Sequence, residues 1–461
     1  MKLKKRIVRT LLWLLIPAIL CLIYYCWLSF PIITGYGSKV LGSAVFDAGR
    51  NEKQVREQDL SSYMMGLADF KVDYTDSSVT GSIFGLAGRK SIYRNGLGVT
   101  LISGVDEDRI RSEHFNQAAR PELNTDSIPW PRGDKLAAPF PSDEIDNAKL
   151  QFAVREVFKE KDTILPVRTR AVVVLYKGQL VAEYYADGFN VKTKLAGWSM
   201  TKSVTSALTG ILVKQGKLNI DEPAPVPEWK DPKDPRHAIT TVNLLQQRSG
   251  LDFVENYARS SDSTQMLFKE ADMGAYTAGR SLKDKPGTVF YYSSGNSNII
   301  SRIIRMKLGD SVYDGFPYRE LFYKLGMYSA VIEPDPSGSF VGSSYMYATA
   351  RDWARFGLLY LNDGIYHNER ILPEGWVNKT TRPAGVEQRG YGYQFWLNAG
   401  GDPAVRHYPS APADMFYADG FESQFVFIIP SKNLVIVRLG LTQHNNFDAD
   451  KFLKDVLAAI K

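Results

Sequence analysis

The N-terminal segment restricts the fold of this chain more strongly than any other stretch. Thr10 to Ile33 contains no charged residue. As a helix it would be about 36 Å long, enough to cross a hydrocarbon core of about 30 Å. Five cations precede it, at Lys2, Lys4, Lys5, Arg6 and Arg9. By the positive-inside tendency, the sequence predicts a cytoplasmic basic stub over 1–9, a membrane span over 10–33 and an exported remainder.

A cleaved secretory signal is the alternative interpretation of this segment. The uncharged run is longer than the apolar region of a typical signal peptide, and no convincing A-x-A-like cleavage site follows it. We therefore expect an uncleaved single-pass anchor, with the rest of the chain on the periplasmic or extracellular side. Both cysteines, Cys21 and Cys26, lie inside the span, so the exported part can form no disulfide.

The overall composition is that of an ordinary globular protein. The 461 residues are 44% hydrophobic and 12% aromatic, which is enough to bury a large core. The net charge of +6 is mild and the cations are dispersed, so nucleic acid is not an expected partner. The five histidines form no H-x-H or H-x-x-x-H pair, and no Walker A or dinucleotide fingerprint occurs. We expect neither a metal site nor a cofactor.

Prolines divide the exported part into two regions. Residues 34–142 hold short pieces punctuated by glycine, with strands expected over residues 81–102. Five prolines between Pro121 and Pro141 then favour an extended connector over a helix or a central strand. The domain boundary is therefore expected in this connector, and residues 143–461 form the main domain.

The main domain begins and ends with strand and helix patterns. We expect an amphipathic helix over 143–158, a hairpin around Lys177-Gly178, a strand pair on either side of residues 430–433, and a terminal helix over 448–460. Helical patterns fill the stretch between them. The sequence predicts an α/β (α+β) domain, in which an antiparallel sheet is closed by the N- and C-terminal strands of the domain, with flanking helices and an inserted helical region.

The segment from Gly197 to Ser203 carries the strongest candidate for a catalytic centre. Ser199 and Lys202 are three residues apart, so on a helix the hydroxyl and the amine share one face. Apolar residues follow at helical spacing from Val204, which places Ser199 in the first turn. Free backbone N–H groups there favour the negative charge that develops in acyl transfer. Alone the pattern is weak, since S-x-x-K arises by chance about once or twice in such a chain.

A second candidate follows the turn Pro286-Gly287-Thr288. The phenol of Tyr292 could shuttle protons if it lies beside a lysine ammonium, because a nearby cation favours the phenolate. An ordinary half-buried core residue is the alternative, since the chain contains 25 tyrosines. A Ser-His-Asp triad is a weak rival, because none of the histidines has a catalytic sequence context and no G-x-S-x-G elbow occurs.

The order of three elements resembles the serine β-lactamase-like family. They are Ser199-x-x-Lys202, Tyr292-x-Ser294 and Ala418-Asp419-Gly420-Phe421. The family includes class C β-lactamases, DD-peptidases, family VIII esterases and 6-aminohexanoate-dimer hydrolases, and the last group looks closest. The resemblance implies a β-lactamase/transpeptidase-like fold from about residue 143 to the C-terminus.

The same resemblance implies roles for individual residues. Ser199 would form the acyl-enzyme, with Lys202 and Tyr292 moving its proton to the leaving group. The backbone N–H groups of Ser199 and Phe421 would bind the oxyanion. The remaining residues implied to surround the oxyanion or the substrate are Gly420, Ser294 and Trp198.

Two departures from the family pattern narrow the expected chemistry. Ser294 stands where many relatives have asparagine, and Ala418-Asp419-Gly420 stands where penicillin-processing relatives have Lys-Thr-Gly or His-x-Gly. The missing cation argues against efficient β-lactam or D-Ala-D-Ala chemistry, because that cation binds the substrate carboxylate.

The sequence therefore predicts a membrane-anchored serine hydrolase acting on a small ester, amide or peptide-like substrate. Two alternatives stay open: a catalytically silent envelope protein that binds a wall polymer, and a DD-peptidase or β-lactamase proper. The identity of the base also stays open. Lys202 can serve only if burial makes it neutral, which costs roughly 4 to 5 kcal/mol from its ordinary pKa, and otherwise the Tyr292 phenolate is the base.

Overall fold

The computed structural model of the chain describes residues 2–62, 64–113, 121–136, 143–162, 164–385, 390–443 and 446–461, with side chains for Trp13 and from Leu15 onward. Its helices are α1 Lys2–Gly42, α2 Glu52–Gln58, α3 Glu107–Ser112, α4 Asn147–Glu156, α5 Met200–Lys214, α6 Thr241–Leu245, α7 Asp262–Lys269, α8 Met273–Ala278, α9 Ser294–Leu308, α10 Asp310–Tyr313, α11 Tyr323–Leu325, α12 Ala350–Leu361, α13 Trp376–Thr381 and α14 Ala449–Leu457. Its strands are β1 Asp69–Asp73, β2 Ser78–Ile83, β3 Leu86–Arg94, β4 Gly98–Leu101, β5 Thr169–Tyr176, β6 Gln179–Tyr185, β7 Leu195–Ala196, β8 Val331–Ile332, β9 Met346–Ala348, β10 Ile365–Tyr366, β11 Glu369–Arg370, β12 Trp396–Leu397, β13 Phe416–Gly420, β14 Gln424–Ile429 and β15 Leu434–Gly440.

The central sheet has six antiparallel strands in the order β12-β13-β14-β15-β5-β6. The first long strand of the main domain, β5, pairs with its last, β15. The sheet is therefore closed by the two ends of the domain, as the sequence predicts. The predicted hairpin joins β5 to β6, with Lys177 at φ 50° and Gly178 at φ 77°. Two consecutive left-handed residues are what a tight two-residue hairpin turn requires.

Strand β5 is buried on both faces because helices cover both sides of the sheet. Val173 and Leu175 face the cluster that contains α5 and α12, whereas Val172 and Val174 face α4 and α14. Alternation along a strand sends successive side chains to opposite faces, so one continuous apolar run serves two cores. The predicted terminal helix and the predicted helix after residue 143 are both present, as α14 and α4.

Helix α5 lies in the largest core. All its residues from Met200 to Leu212 are buried, and it contacts α9 on one side and β13 on another. A short three-stranded sheet, β7-β9-β8, lies at its N-terminal end and leads the chain into it. The residue before α5 therefore has little freedom to move.

The leading region forms a four-stranded antiparallel sheet, β1-β2-β3-β4, against which α1 packs. The strands expected over residues 81–102 are found there. Helix α1 continues through the predicted end of the span at Ile33 to Gly42, and Thr34, Ser38 and Leu41 are fully buried. Residues 137–142 lie outside the described residues, so the domain boundary in the connector stays a prediction.

Helix α1 changes its surroundings along its length. Its apolar side chains from Leu15 to Trp27 are largely exposed, whereas Ser29 and most residues after it are buried. Among the described residues, one helical stretch is long and apolar enough to cross a membrane, Leu15–Asp47. The helix thus consists of an exposed apolar half and a half that belongs to the protein core.

Candidate active site

The turn that carries Ser199 is held tightly on both sides. Gly197 donates its N–H to the Met346 carbonyl at 2.8 Å, and a Cβ on Gly197 would lie 2.2 Å from the Trp353 ring. Trp198 follows at φ 46°, a left-handed conformation that costs a non-glycine residue about 1 to 2 kcal/mol. Ser199 then occupies the N-cap position of α5, without a capping hydrogen bond from its side chain. The strained turn delivers the hydroxyl to the first turn of the helix, as the sequence predicts.

Lys202 lies one turn further along α5, with only 1% of its surface exposed. Its Nζ donates to Ser199 Oγ at 3.0 Å, to Ser294 Oγ at 3.1 Å and to the Ser343 carbonyl at 3.1 Å. Burial lowers the pKa of Lys202 to about 8, although the Glu255 and Asp419 carboxylates oppose the shift. Removal from water is therefore the dominant influence on this amine.

Tyr292 completes the predicted group of three. Its ring centroid lies 4.8 Å from Lys202 Nζ, and the ring stacks on Trp396 with centroids 5.4 Å apart. Burial, and then the neighbouring Tyr391, raise the pKa of the Tyr292 phenol well above its ordinary value, while a hydrogen bond with Ser199 opposes the shift. The phenol is therefore neutral at physiological pH.

Ser294 lies beside Lys202 and is fully buried. Glu255 holds it from the other side, because Ser294 Oγ donates to Glu255 Oε1 at 2.6 Å and the Ser294 N–H donates to Oε2 at 2.9 Å. The Tyr257 hydroxyl also donates to Glu255, at 2.7 Å, and lies 3.0 Å from Ser294 Oγ. Ser294 thus touches the lysine rather than the cleft beside Ser199.

Sequence reasoning missed Glu255 and Tyr257. They belong to an irregular loop between the Leu251 bridge and α7, where no periodicity or motif marks a residue. Only their position shortly after the Ser249-Gly250-Leu251 turn, itself similar to a family feature, could have drawn attention to them. The structure brings them to the site through hydrogen bonds to the first residue of α9.

The C-terminal end of strand β13 lies against the turn that carries Ser199. A Cβ on Gly420 would lie 2.2 Å from the Gly197 carbonyl oxygen, so only glycine permits this approach. Phe421 follows, with its ring edge-on to Trp198 at 5.8 Å between centroids. Burial raises the pKa of Asp419 to about 7, and the Lys202 ammonium opposes that shift. An acid therefore stands near Lys202, in the element that takes the place of the Lys-Thr-Gly or His-x-Gly of penicillin-processing relatives.

A cleft of about 590 Å³ opens beside Ser199. Its lining is mostly apolar or aromatic and comes from three parts of the chain: α1, the loop around Met64, and the main domain. Trp198 lines it, with its ring stacked on Tyr36 of α1 at 6.2 Å and an interplanar angle of 3°. The sequence did not indicate that α1 contributes to the site.

The site offers acid and base groups but no clear place for a metal. Among the described residues, no group of three or more His, Cys, Asp or Glu side chains could hold a metal ion. The site offers a hydroxyl, an amine of lowered pKa and a neutral phenol.

A Ser-x-x-Lys helix packed under an antiparallel sheet, with a tyrosine brought in by the loop that leads into a neighbouring helix, defines a β-lactamase/transpeptidase-like fold. The chain belongs to the β-lactamase family, whose family model matches residues 154–459. Both the resemblance and the fold class inferred from the sequence are thereby confirmed.

Comparisons with individual proteins agree with this assignment. The chain is 26% identical over 222 residues to a 6-aminohexanoate-dimer hydrolase of Paenarthrobacter ureafaciens, a match that covers 45% of this chain and 56% of that one. The chain thus spans little more than half the length of this relative. A solved structure of a candidate 6-aminohexanoate-dimer hydrolase from Bacillus anthracis has a TM-score of 0.56 at 20% identity, covering 70% and 86% of the two chains. A family VIII carboxylesterase has a TM-score of 0.53 at 16% identity, covering 70% and 98%.

Proposed function

We propose that this protein is a serine hydrolase that cleaves an ester or an amide through an acyl-enzyme on Ser199. One observation carries the proposal: the Lys202 amine is hydrogen-bonded to the Ser199 hydroxyl at 3.0 Å, beside a cleft that Ser199 lines. A nucleophile within reach of a base of lowered pKa is the arrangement that covalent catalysis requires. Membership of a family of hydrolases supports the same conclusion.

Lys202 is the better supported of the two candidate bases. With a pKa of about 8, roughly a tenth of it is neutral at pH 7, whereas the Tyr292 phenol holds its proton. In the proposed reaction the neutral amine accepts the Ser199 proton while Oγ attacks the carbonyl carbon. Tyr292 donates a proton to the leaving oxygen or nitrogen and regains one from Lys202. Water then attacks the acyl-enzyme and releases the acid.

The oxyanion of the tetrahedral intermediate would lie between two backbone amides. Ser199 supplies one N–H at the start of α5, and Phe421 supplies the other at the end of β13. The close approach of Gly420 to Gly197 supports this role, because it fixes the two amides relative to each other. Trp198 and the Phe421 ring would then border the acyl group.

The substrate we propose is an ester or amide without the carboxylate that β-lactams present. The Ala418-Asp419-Gly420 element places an acid near Lys202 where such a carboxylate would need a cation. The names of the relatives, a dimer hydrolase and a carboxylesterase, support amides and esters as substrate classes. A DD-peptidase or β-lactamase activity is the less supported alternative.

We also propose that α1 anchors the exported domain in a membrane. The exposed apolar side chains between Leu15 and Trp27 support this location, since such a surface is stable in lipid and not in water. The five cations before the span support a cytoplasmic N-terminus.

Covalent labelling of the full chain in detergent tests the proposed function. We expect a fluorophosphonate probe to label the wild type but not Ser199→Ala. The probe should also label Ser112→Ala, a control at an exposed serine of the leading region. Equal labelling of Ser199→Ala, or none of the wild type, would contradict the proposal. In a parallel assay, p-nitrophenyl esters and amides should be hydrolysed and penicillin should not, and fast penicillin turnover would favour the β-lactamase alternative.

A further inference from the structure

The exposed half of α1 joins the protein body without a linker. Trp27 is 67% exposed, whereas Ser29, two residues later, is 7% exposed. A membrane that covers the exposed half therefore reaches the surface of the body itself. The face of the body around Trp27 must then lie at the membrane–water interface.

The β2–β3 hairpin points along α1 toward that interface. Ser91 Oγ donates to the Ser38 carbonyl at 2.8 Å, and Thr34 Oγ1 donates to the Ala87 carbonyl at 2.7 Å. The part of β3 from Ser91 back to Ala87 therefore lies alongside the part of α1 from Ser38 back to Thr34. The hairpin tip beyond Ala87 lies further toward the exposed half of α1.

The tip of this hairpin is apolar and exposed. Phe84 is 78% exposed and Leu86 is 64% exposed, with Gly85 between them. Phe84 and Gly85 both have positive φ, at 51° and 72°, so the turn is tight and holds the two side chains outward. Two large apolar side chains at an exposed turn are unfavourable in water and favourable in the outer part of a bilayer.

Cations lie at the same level. Lys269 Nζ is 5.6 Å from the centroid of the Trp27 ring. Arg89 lies two residues after Ala87 on β3, and its guanidinium lowers the pKa of Lys269 after the larger effect of burial. Tryptophan and cationic side chains are typical of protein segments that lie at the depth of anionic lipid headgroups.

The cleft beside Ser199 begins at this interface. Tyr25, in the exposed half of α1, lines the cleft together with Ile32 and Tyr36 further along the helix. Across from α1 the lining includes Met64, Leu267 and Phe268. A passage whose walls on α1 and α7 are largely apolar therefore runs from the exposed half of α1 to Ser199, with Asp59, Arg259 and Glu422 among its polar lining.

We propose that the substrate is an acyl ester of a membrane amphiphile, which enters the cleft from the bilayer alongside α1 while the Phe84–Leu86 tip seats the domain on the lipid. This inference rests on the proposed hydrolase function and names its substrate class. The alkyl chain lies along the apolar lining, and the ester carbonyl reaches Ser199. Attack by Ser199 Oγ releases the alcohol and leaves the acyl-enzyme, and water then releases the fatty acid.

Chain length gives the first test, in full-length protein reconstituted in vesicles that contain phosphatidylglycerol. Each methylene that the cleft buries raises kcat/KM by up to about fourfold, so an octanoyl ester should exceed an acetyl ester by at least tenfold. Ile32→Trp narrows the cleft, and it should reduce the octanoyl-to-acetyl ratio of kcat/KM at least fivefold. The control Ile23→Trp makes the same change on the exposed half of α1, outside the cleft, and should behave as wild type.

The second test concerns the contact between the Phe84–Leu86 tip and the bilayer. The double variant Phe84→Asp with Leu86→Asp should lower the hydrolysis of a long-chain fluorogenic ester in the vesicles by at least fivefold and leave a water-soluble acetyl ester unaffected. Ile164→Asp, at an exposed apolar residue of the main domain, serves as the matched control.

The outcomes separate the two proposals. Absence of fluorophosphonate labelling would overturn the hydrolase itself. Normal labelling with an equal or higher rate on the acetyl ester, or hairpin variants that hydrolyse the vesicle ester at the wild-type rate, would overturn the lipid substrate and leave the hydrolase standing.

Discussion

The catalytic role proposed for Lys202 conflicts with the stability of the folded protein. Its pKa falls from 10.5 in the unfolded chain to about 8 in the folded one, so the folded state disfavours the charged amine. Between these two values the unfolded state binds more protons, and stability rises with pH. Below pH 8 the whole penalty, up to about 3 kcal/mol, is present.

Replacement of Lys202 by methionine should therefore stabilise the protein while abolishing hydrolysis. At pH 7 we expect the free energy of unfolding to rise by up to about 3 kcal/mol and kcat to fall at least about 10³-fold. Thermal unfolding in detergent at pH 7 and pH 10 measures the first effect. The advantage of the variant should shrink at pH 10, and an advantage that grows with pH would contradict the burial of a charged amine.

Glu255 acts on the same lysine from the neighbouring loop. Its carboxylate raises the pKa of Lys202 against the effect of burial, so Glu255→Gln should lower that pKa below 8. The rise of kcat/KM with pH, which reports the free base, should then occur at lower pH. We also expect kcat to fall about tenfold, because Ser294 and Tyr257 lose a charged acceptor. A pH–rate profile measures both effects, with the exposed Glu374→Gln as control.

The sequence predicts the residues of this site only where local spacing carries the signal. Ser199 and Lys202 meet because three residues span one helical turn. Tyr292 could be connected to them only through the family resemblance, since 90 residues separate it from Lys202 and no pattern links the two. Glu255 lay beyond prediction, because its role comes from a hydrogen bond between an irregular loop and a distant helix.

At the scale of elements, the close contact at the end of β13 fixes the two amides proposed to bind the oxyanion. Gly420→Ala would place a methyl group 2.2 Å from the Gly197 carbonyl oxygen and push the strand away from the nucleophile turn. The proposed oxyanion amides would separate, so we expect kcat to fall about 10²- to 10³-fold. Gly401→Ala, where no atom lies within 4 Å, is the matched control and should keep full activity in an ester assay. Full activity in Gly420→Ala would argue against Phe421 as a donor.

Elements with strong periodicity are predicted well, and α1 shows where periodicity fails. The hairpin at Lys177, and helices α5, α12 and α14, follow from alternation or helical spacing in their own sequences. The part of α1 after Ile33 contains glycine, serine, threonine and lysine, which suggest a loop. It is helical because the four-stranded sheet and the main domain surround it: Thr34 Oγ1 donates to the Ala87 carbonyl of β3, and the Ser38 carbonyl accepts from Ser91 Oγ of the same strand.

At the scale of the whole molecule, a buried ion pair joins the leading region to the main domain. Lys39 of α1 pairs with Glu333, which follows β8, and both side chains are almost fully buried. Glu333 also accepts from Ser43 Oγ at 2.9 Å and from the Val99 N–H, in β4, at 2.7 Å. One carboxylate thus binds α1, the turn after it, β4 and the main domain together. Helix α1, fixed in this way, cannot move independently of the cleft that it lines.

Breaking this pair should loosen the whole assembly rather than one segment. Lys39→Met leaves the Glu333 carboxylate buried without its cation, and we expect a loss of about 3 to 5 kcal/mol of unfolding free energy. Lys53→Met is the matched control, because Lys53 pairs with Glu57 at 3.8 Å on the exposed surface, with side chains 82% and 62% exposed. There the loss should stay below about 1 kcal/mol.

Thermal unfolding in detergent measures the stability loss in both variants. Hydrolysis of an octanoyl ester should decline together with stability in Lys39→Met, since α1 forms one wall of the cleft. Equal melting temperatures for the two variants would mean that the Lys39–Glu333 pair does not hold α1 to the main domain.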